Sequence, residues 1–109
     1  MSISTHVLDA VSGGPAHGIE LRLERADAAT EVARGATDAD GRCPELTEGL
    51  RLEAGTYRLH FETGAYFART ETPTFYPVVE LVFEVTDAAA HYHVPLLLSP
   101  FAYSTYRGS

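Results

Sequence analysis

The chain of 109 residues sets 15 acidic side chains against 8 basic ones, a formal charge of −7, with 45% apolar residues. That charge repels phosphate backbones and anionic bilayers, which argues against nucleic acid and membrane as partners, while the apolar share is enough for one compact domain over residues 1–109. All basic side chains are arginines, which rules out a lysine nucleophile or Schiff base, and Cys43 stands alone, so no internal disulfide forms and a reducing cytoplasm is expected.

Ile3 to Asp9 mixes β-branched and polar residues and stops at Ser12-Gly13-Gly14-Pro15, which reads as a strand followed by a loop. Gly18 to Arg25 alternates Ile19, Leu21 and Leu23 with Glu20, Arg22 and Glu24, the pattern of a strand with one wet face. Ala26 to Ala29 reads as a turn, Thr30 to Thr37 as a weaker strand, and Asp38-Ala39-Asp40-Gly41 as a tight turn that delivers Arg42. Thr56 to Glu62 is another two-faced strand, with Tyr57, Leu59 and Phe61 on its apolar side. Alternation fails between Thr63 and Thr74, where Gly64 to Arg69 is the only helical candidate. Val78 to Val85, His91 to Leu98 and Phe101 to Arg107 complete the strands, with a turn at Asp87 to Ala90. Short strands separated by turn clusters predict an all-β sandwich. Neither a charged segment leading into an apolar run nor a bilayer-length apolar stretch is present, so a soluble, unprocessed chain is expected.

Strand parity puts His91 and His93 on one face with Pro95 and Leu97, and Tyr92, Val94 and Leu96 on the other. Such a pair serves either as structural imidazoles, one hydrogen-bonded and one exposed, or as part of a site. His6, between Thr5 and Val7, is in the same position: an exposed edge histidine or an acid-base group. Arg42 is either a solvated loop charge or a planar fork for substrate oxygens. The final strand sends Ser104, Tyr106 and Gly108 to one side and Tyr103, Thr105 and Arg107 to the other. Three imidazoles also raise the alternative of a zinc enzyme. Against it, Arg42 would place a cation beside the metal, and these strands offer no carboxylate as a general base; no metal and no cofactor is therefore expected. Cys43 reads as a small packing residue rather than a reactive thiol.

Taken together, Ser4-Thr5-His6-Val7-Leu8-Asp9, Asp40-Gly41-Arg42, Gly55-Thr56-Tyr57-Arg58-Leu59, His91-Tyr92-His93-Val94-Pro95-Leu96-Leu97-Leu98-Ser99-Pro100 and Tyr106-Arg107-Gly108-Ser109 resemble the transthyretin-like family, and within it the 5-hydroxyisourate hydrolases. The resemblance implies an eight-stranded, two-sheet sandwich with one short helix. It also implies a homotetramer built as a dimer of dimers, with active sites between dimers. It further implies hydrolysis of 5-hydroxyisourate in urate breakdown to 2-oxo-4-hydroxy-4-carboxy-5-ureidoimidazoline. On this resemblance His6, Arg42 and His93 are the catalytic residues, Ser104, Tyr106, Arg107, Gly108 and Ser109 bind substrate, and His91 is supporting structure. Two rivals remain: a binding protein for a small, thyroid-hormone-like ligand on the same scaffold, and a purely structural adhesion-type sandwich.

Overall fold

A computed structural model describes residues 1–28 and 30–109; Ala29, the last residue of the turn expected over 26–29, lies outside the described residues. The strands are β1 (Ser2–Asp9), β2 (Gly14–Pro15), β3 (Glu20–Arg25), β4 (Thr30–Ala36), β5 (Gly55–Phe61), β6 (Val79–Val85), β7 (His91–Ser99) and β8 (Ala102–Thr105), with the helix α1 (Thr63–Ala68) between β5 and β6. They form two four-stranded sheets, ordered β2-β1-β7-β8 and β4-β3-β5-β6. All pairings are antiparallel except β1 with β7, which run parallel. This is the sandwich that the strand spacing predicts.

Alternation explains the layering. Ile3, Thr5 and Val7 from β1 and Tyr92, Val94, Leu96 and Leu98 from β7 are buried, and they face Leu21, Leu23, Tyr57, Leu59, Phe61, Leu81 and Val85 from the other sheet. Each of these apolar side chains stabilises the fold by about 1.5–3 kcal/mol on burial, which fixes strand register, since a slip of one residue would turn every buried group outward. The short helix closes one end: Phe67 is buried, and the Tyr66 hydroxyl donates to Asp9 Oδ2 at 2.6 Å. Burial first, then the Asp9 carboxylate that accepts its proton, pushes the Tyr66 hydroxyl up to about 12.

Two elements differ from expectation. Gly14-Pro15, read as loop punctuation, pairs with Asp9 and Leu8 as a two-residue edge strand; so short a segment has no room to display alternation. The last strand ends at Thr105 rather than Arg107. Register brings Tyr106 opposite Pro95, whose nitrogen carries no hydrogen and whose carbonyl is occupied by the Thr105 hydroxyl at 2.7 Å. The ladder therefore breaks at Tyr106 and Arg107 and resumes as a single bridge between Gly108 and His93.

Candidate active site

On β1, the residues alternating with the core row are Ser2, Ser4, His6 and Leu8; on β7 they are His91, His93 and Leu97, and the parallel register sets Ser4 beside His93 and His6 beside Pro95. His6 and His93 thus lie diagonally across one strand pair on the outward face. A two-residue offset and one inter-strand spacing put their backbones about 8 Å apart.

Arg42 reaches the same face by a different route. The Asp38 carboxylate accepts from Asp40 N at 2.9 Å and Arg42 N at 3.0 Å, and Asp38 N donates to Arg42 O at 2.7 Å. Those backbone donors, that of Arg42 foremost, hold the Asp38 carboxyl below its usual range. The closed turn lays Gly41 and Arg42 against the free edge of β1, where Val7 N donates to Gly41 O at 2.8 Å and Arg42 bridges His6. Only glycine fits at 41: φ is +75°, and a Cβ there would stand 2.4 Å from the Val7 carbonyl oxygen.

Gly108 completes the cluster from the opposite side. Its N–H donates to His93 O at 2.8 Å, and its missing side chain leaves room for the imidazole, since a Cβ would meet His93 Cδ2 at 2.5 Å. The half-buried His93 ring is held below the ordinary histidine value of 6.5, first by burial and then by Arg42, His91 and His6. That shift keeps it a neutral base near pH 7.

The remaining candidates are distributed differently. Ser104 shares the outward face but pairs with Leu97, four residues and about 13 Å along β7 from His93. Arg107 does not join the histidines: its guanidinium lies 4.4 Å over the Tyr92 ring on the other face of β7, as the parity of Val94 opposite 107 requires. Tyr106 is exposed and lines, with Arg107, Tyr103 and Phe83, the cleft between β8 and β6; Ser109 is exposed beside Gly108. Cys43 packs against Gly35 of β4, and burial raises its thiol, which makes it a poor nucleophile.

Ser4 is the residue that the sequence reading missed. Its Oγ lies 2.7 Å from His93 Nδ1 and 2.9 Å from His91 Nε2, while Ser2 Oγ contacts His91 Nδ1. Shared parity with His6 was its only signal. Among the described residues no three His, Cys, Asp or Glu side chains converge as a metal site. A separate polar cluster on the other sheet, His60 between Glu80 Oε2 (2.9 Å) and Glu62 Oε1 (2.8 Å), is satisfied by its own partners.

The HIUase/Transthyretin family model matches residues 3–108. A curated mouse protein named 5-hydroxyisourate hydrolase is 47% identical over 111 residues, covering 98% of this chain and 94% of that one. Among solved structures, a 5-hydroxyisourate hydrolase from Klebsiella pneumoniae superposes with a TM-score of 0.87 at 37% identity, covering 98% of this chain and 92% of that one. Sea bream transthyretin, solved with thyroxine, superposes with a TM-score of 0.89 at 35% identity, covering 97% of this chain and 93% of that one. The same fold thus occurs in a protein named as a hydrolase and in a transthyretin solved with thyroxine, so fold alone does not choose between them.

Proposed function

The chain belongs to the HIUase/Transthyretin family, and from that premise we propose that it hydrolyses 5-hydroxyisourate, opening a ring amide. The observation that carries the reading is the gathering of His6, Arg42 and His93 on one outward face through the bridges at Arg42 and Gly108. The curated relatives named as 5-hydroxyisourate hydrolases are 43–47% identical over nearly the whole chain, which favours catalysis over ligand carriage.

An amide carbonyl resists water at neutral pH, so a site must deprotonate the water and stabilise the oxyanion. His93, kept neutral by burial and by Arg42, takes the proton as water attacks the carbonyl carbon. The Arg42 fork donates to the oxygen as negative charge develops, a contribution of about 3 kcal/mol by analogy with loss of one oxyanion donor. The carbon–nitrogen bond then breaks with proton delivery to the leaving nitrogen, for which His6 is the adjacent imidazole. Gly108 and Ser109 border the base and Ser104 the far end of the face, where they serve substrate binding. Arg107 and Tyr106 shape the β8 edge rather than the histidine cluster. No step requires a metal or cofactor.

The working form in this reading is a homotetramer, a dimer of dimers, for which the terminal edge strands β6 and β8 and the exposed Phe101 and Tyr103 supply pairing surface. No helix among the described residues is long and apolar enough to cross a membrane, and the single cysteine suits a reducing cytoplasm. The test is the ultraviolet decay of freshly generated 5-hydroxyisourate with the protein and with folded His6→Ala, Arg42→Ala and His93→Ala variants. Acceleration that is lost in all three is expected; no acceleration by the parent refutes the reading.

A further inference from the structure

The side chains behind His93 form a continuous hydrogen-bonded chain: Ser2 Oγ to His91 Nδ1, His91 Nε2 to Ser4 Oγ at 2.9 Å, and Ser4 Oγ to His93 Nδ1 at 2.7 Å. Resting on the hydrolase reading above, we propose that Ser4 and His91 are positioning residues: they tie the His93 ring by Nδ1, fix its tautomer, and leave Nε2 as the one nitrogen free for the reaction.

The argument is a count of protons. Ser4 carries one hydroxyl hydrogen and lies within hydrogen-bonding distance of one nitrogen on each of two rings. Between neutral imidazoles it therefore donates to one and accepts from the other. If it donated to His93, Nε2 of that ring would carry the hydrogen and present no lone pair. In the opposite sense His93 Nδ1–H donates to Ser4, Ser4 donates to His91 Nε2, and His91 Nδ1–H donates to Ser2. This second direction leaves His93 Nε2 with a free lone pair, as a base requires. Arg42, His91 and His6 are the titratable or charged groups that act on His93, and each opposes a second proton on its ring. His91 can play this part because parity places it two residues before His93 on the same face, and because the parallel register inserts Ser2 and Ser4 beside the pair.

The test uses the full chain. Long-range nitrogen-15 spectra at about pH 8, where imidazoles are neutral, report which ring nitrogen of His93 is protonated, with its signals assigned by their disappearance in His93→Gln. A pyrrole-type Nδ1 and a pyridine-type Nε2 are expected in the parent. Ser4→Ala and His91→Phe should abolish that preference and lower kcat about tenfold with KM within twofold. His91→Gln, which keeps a polar group in the chain, should recover most of the rate. A parent with hydrogen on His93 Nε2, or a Ser4→Ala protein with unchanged nitrogen signals, overturns the proposal, and so does a loss of kcat without a tautomer change. Because the spectra need no turnover, they decide the relay even if the parent fails to accelerate decay of the substrate.

Discussion

Replacing Gly108 by alanine sets one methyl carbon against the proposed base. The new Cβ would stand 2.5 Å from His93 Cδ2 and 3.2 Å from Cγ, about 0.9 Å short of the 3.4 Å at which ordinary contact begins. Neither side yields freely. The imidazole is tied to Ser4 at 2.7 Å, and the tail is tied to His93 O at 2.8 Å. Swinging the ring sacrifices the first bond, about 1 kcal/mol net, and adds about 1 kcal/mol for leaving its rotamer well. Lifting the tail sacrifices the second, again about 1 kcal/mol. The flanking Arg107 and Ser109 are exposed, so relief stays local, and a 1 kcal/mol cost moves Tm by at most roughly 4–8 °C for a domain of this size. Either route disturbs the site: lifting the tail, the less costly one, withdraws Gly108 and Ser109 from beside His93, and swinging the ring displaces the base, where about 1 Å costs about 100-fold in rate, or about 2.7 kcal/mol of barrier. The assay pairs kcat/KM on 5-hydroxyisourate with thermal denaturation. Gly14→Ala serves as the control, since a Cβ there meets nothing within 4 Å. A folded Gly108→Ala protein with kcat/KM within threefold of the parent would refute the joint placement of His93 and the Gly108–Ser109 tail in the chemistry.

Other substitutions separate the remaining parts of the site and fold. Arg42→Lys should lose at least about 100-fold in kcat/KM with an unchanged denaturation midpoint, because a point charge cannot reproduce a two-pronged donor; retention of a third of the activity would contradict the assigned role. Burial first, and Arg42 next, lower the His93 value, so the acid limb of the pH–rate profile should fall below 6.5 and move partway up in Arg42→Gln. Between the folded and unfolded values the unfolded chain binds more protons, so this group's contribution to stability is present above 6.5 and is lost as pH falls through the folded value, which denaturant titrations at stepped pH would detect. Gly35→Ala would place a Cβ 2.7 Å from Cys43 Sγ and should cost about 1–3 kcal/mol, with much of it recovered in the Gly35→Ala/Cys43→Ala double variant; equal losses in the presence and absence of the thiol would sink that account.

Sequence alone determined most features that depend on neighbours along the chain, the two-residue β2 excepted. The two-residue period of Ile19 to Leu23 and of Tyr57 to Phe61 specified half-buried strands, and the Asp-Gly turn specified how Arg42 is delivered. Parity put His91 with His93 and turned Arg107 the other way, which its stacking on Tyr92 confirms. The ordered run of motifs was enough to mark the family. What parity cannot supply is register between strands far apart in sequence, because alternation is a local property and pairing is chosen by the joint packing of two sheets. Ser4 and His93 are separated by 89 residues, and only the parallel docking of β1 on β7 makes them neighbours. The same holds for Arg42 against His6, and for Pro95, whose absent N–H ends β8 early only because Tyr106 falls opposite it. The groups that carry the chemistry were thus legible one by one. The hydrogen bonds that orient them came from the tertiary fold, since a short-range polar contact forms only after apolar burial has fixed which strands lie side by side.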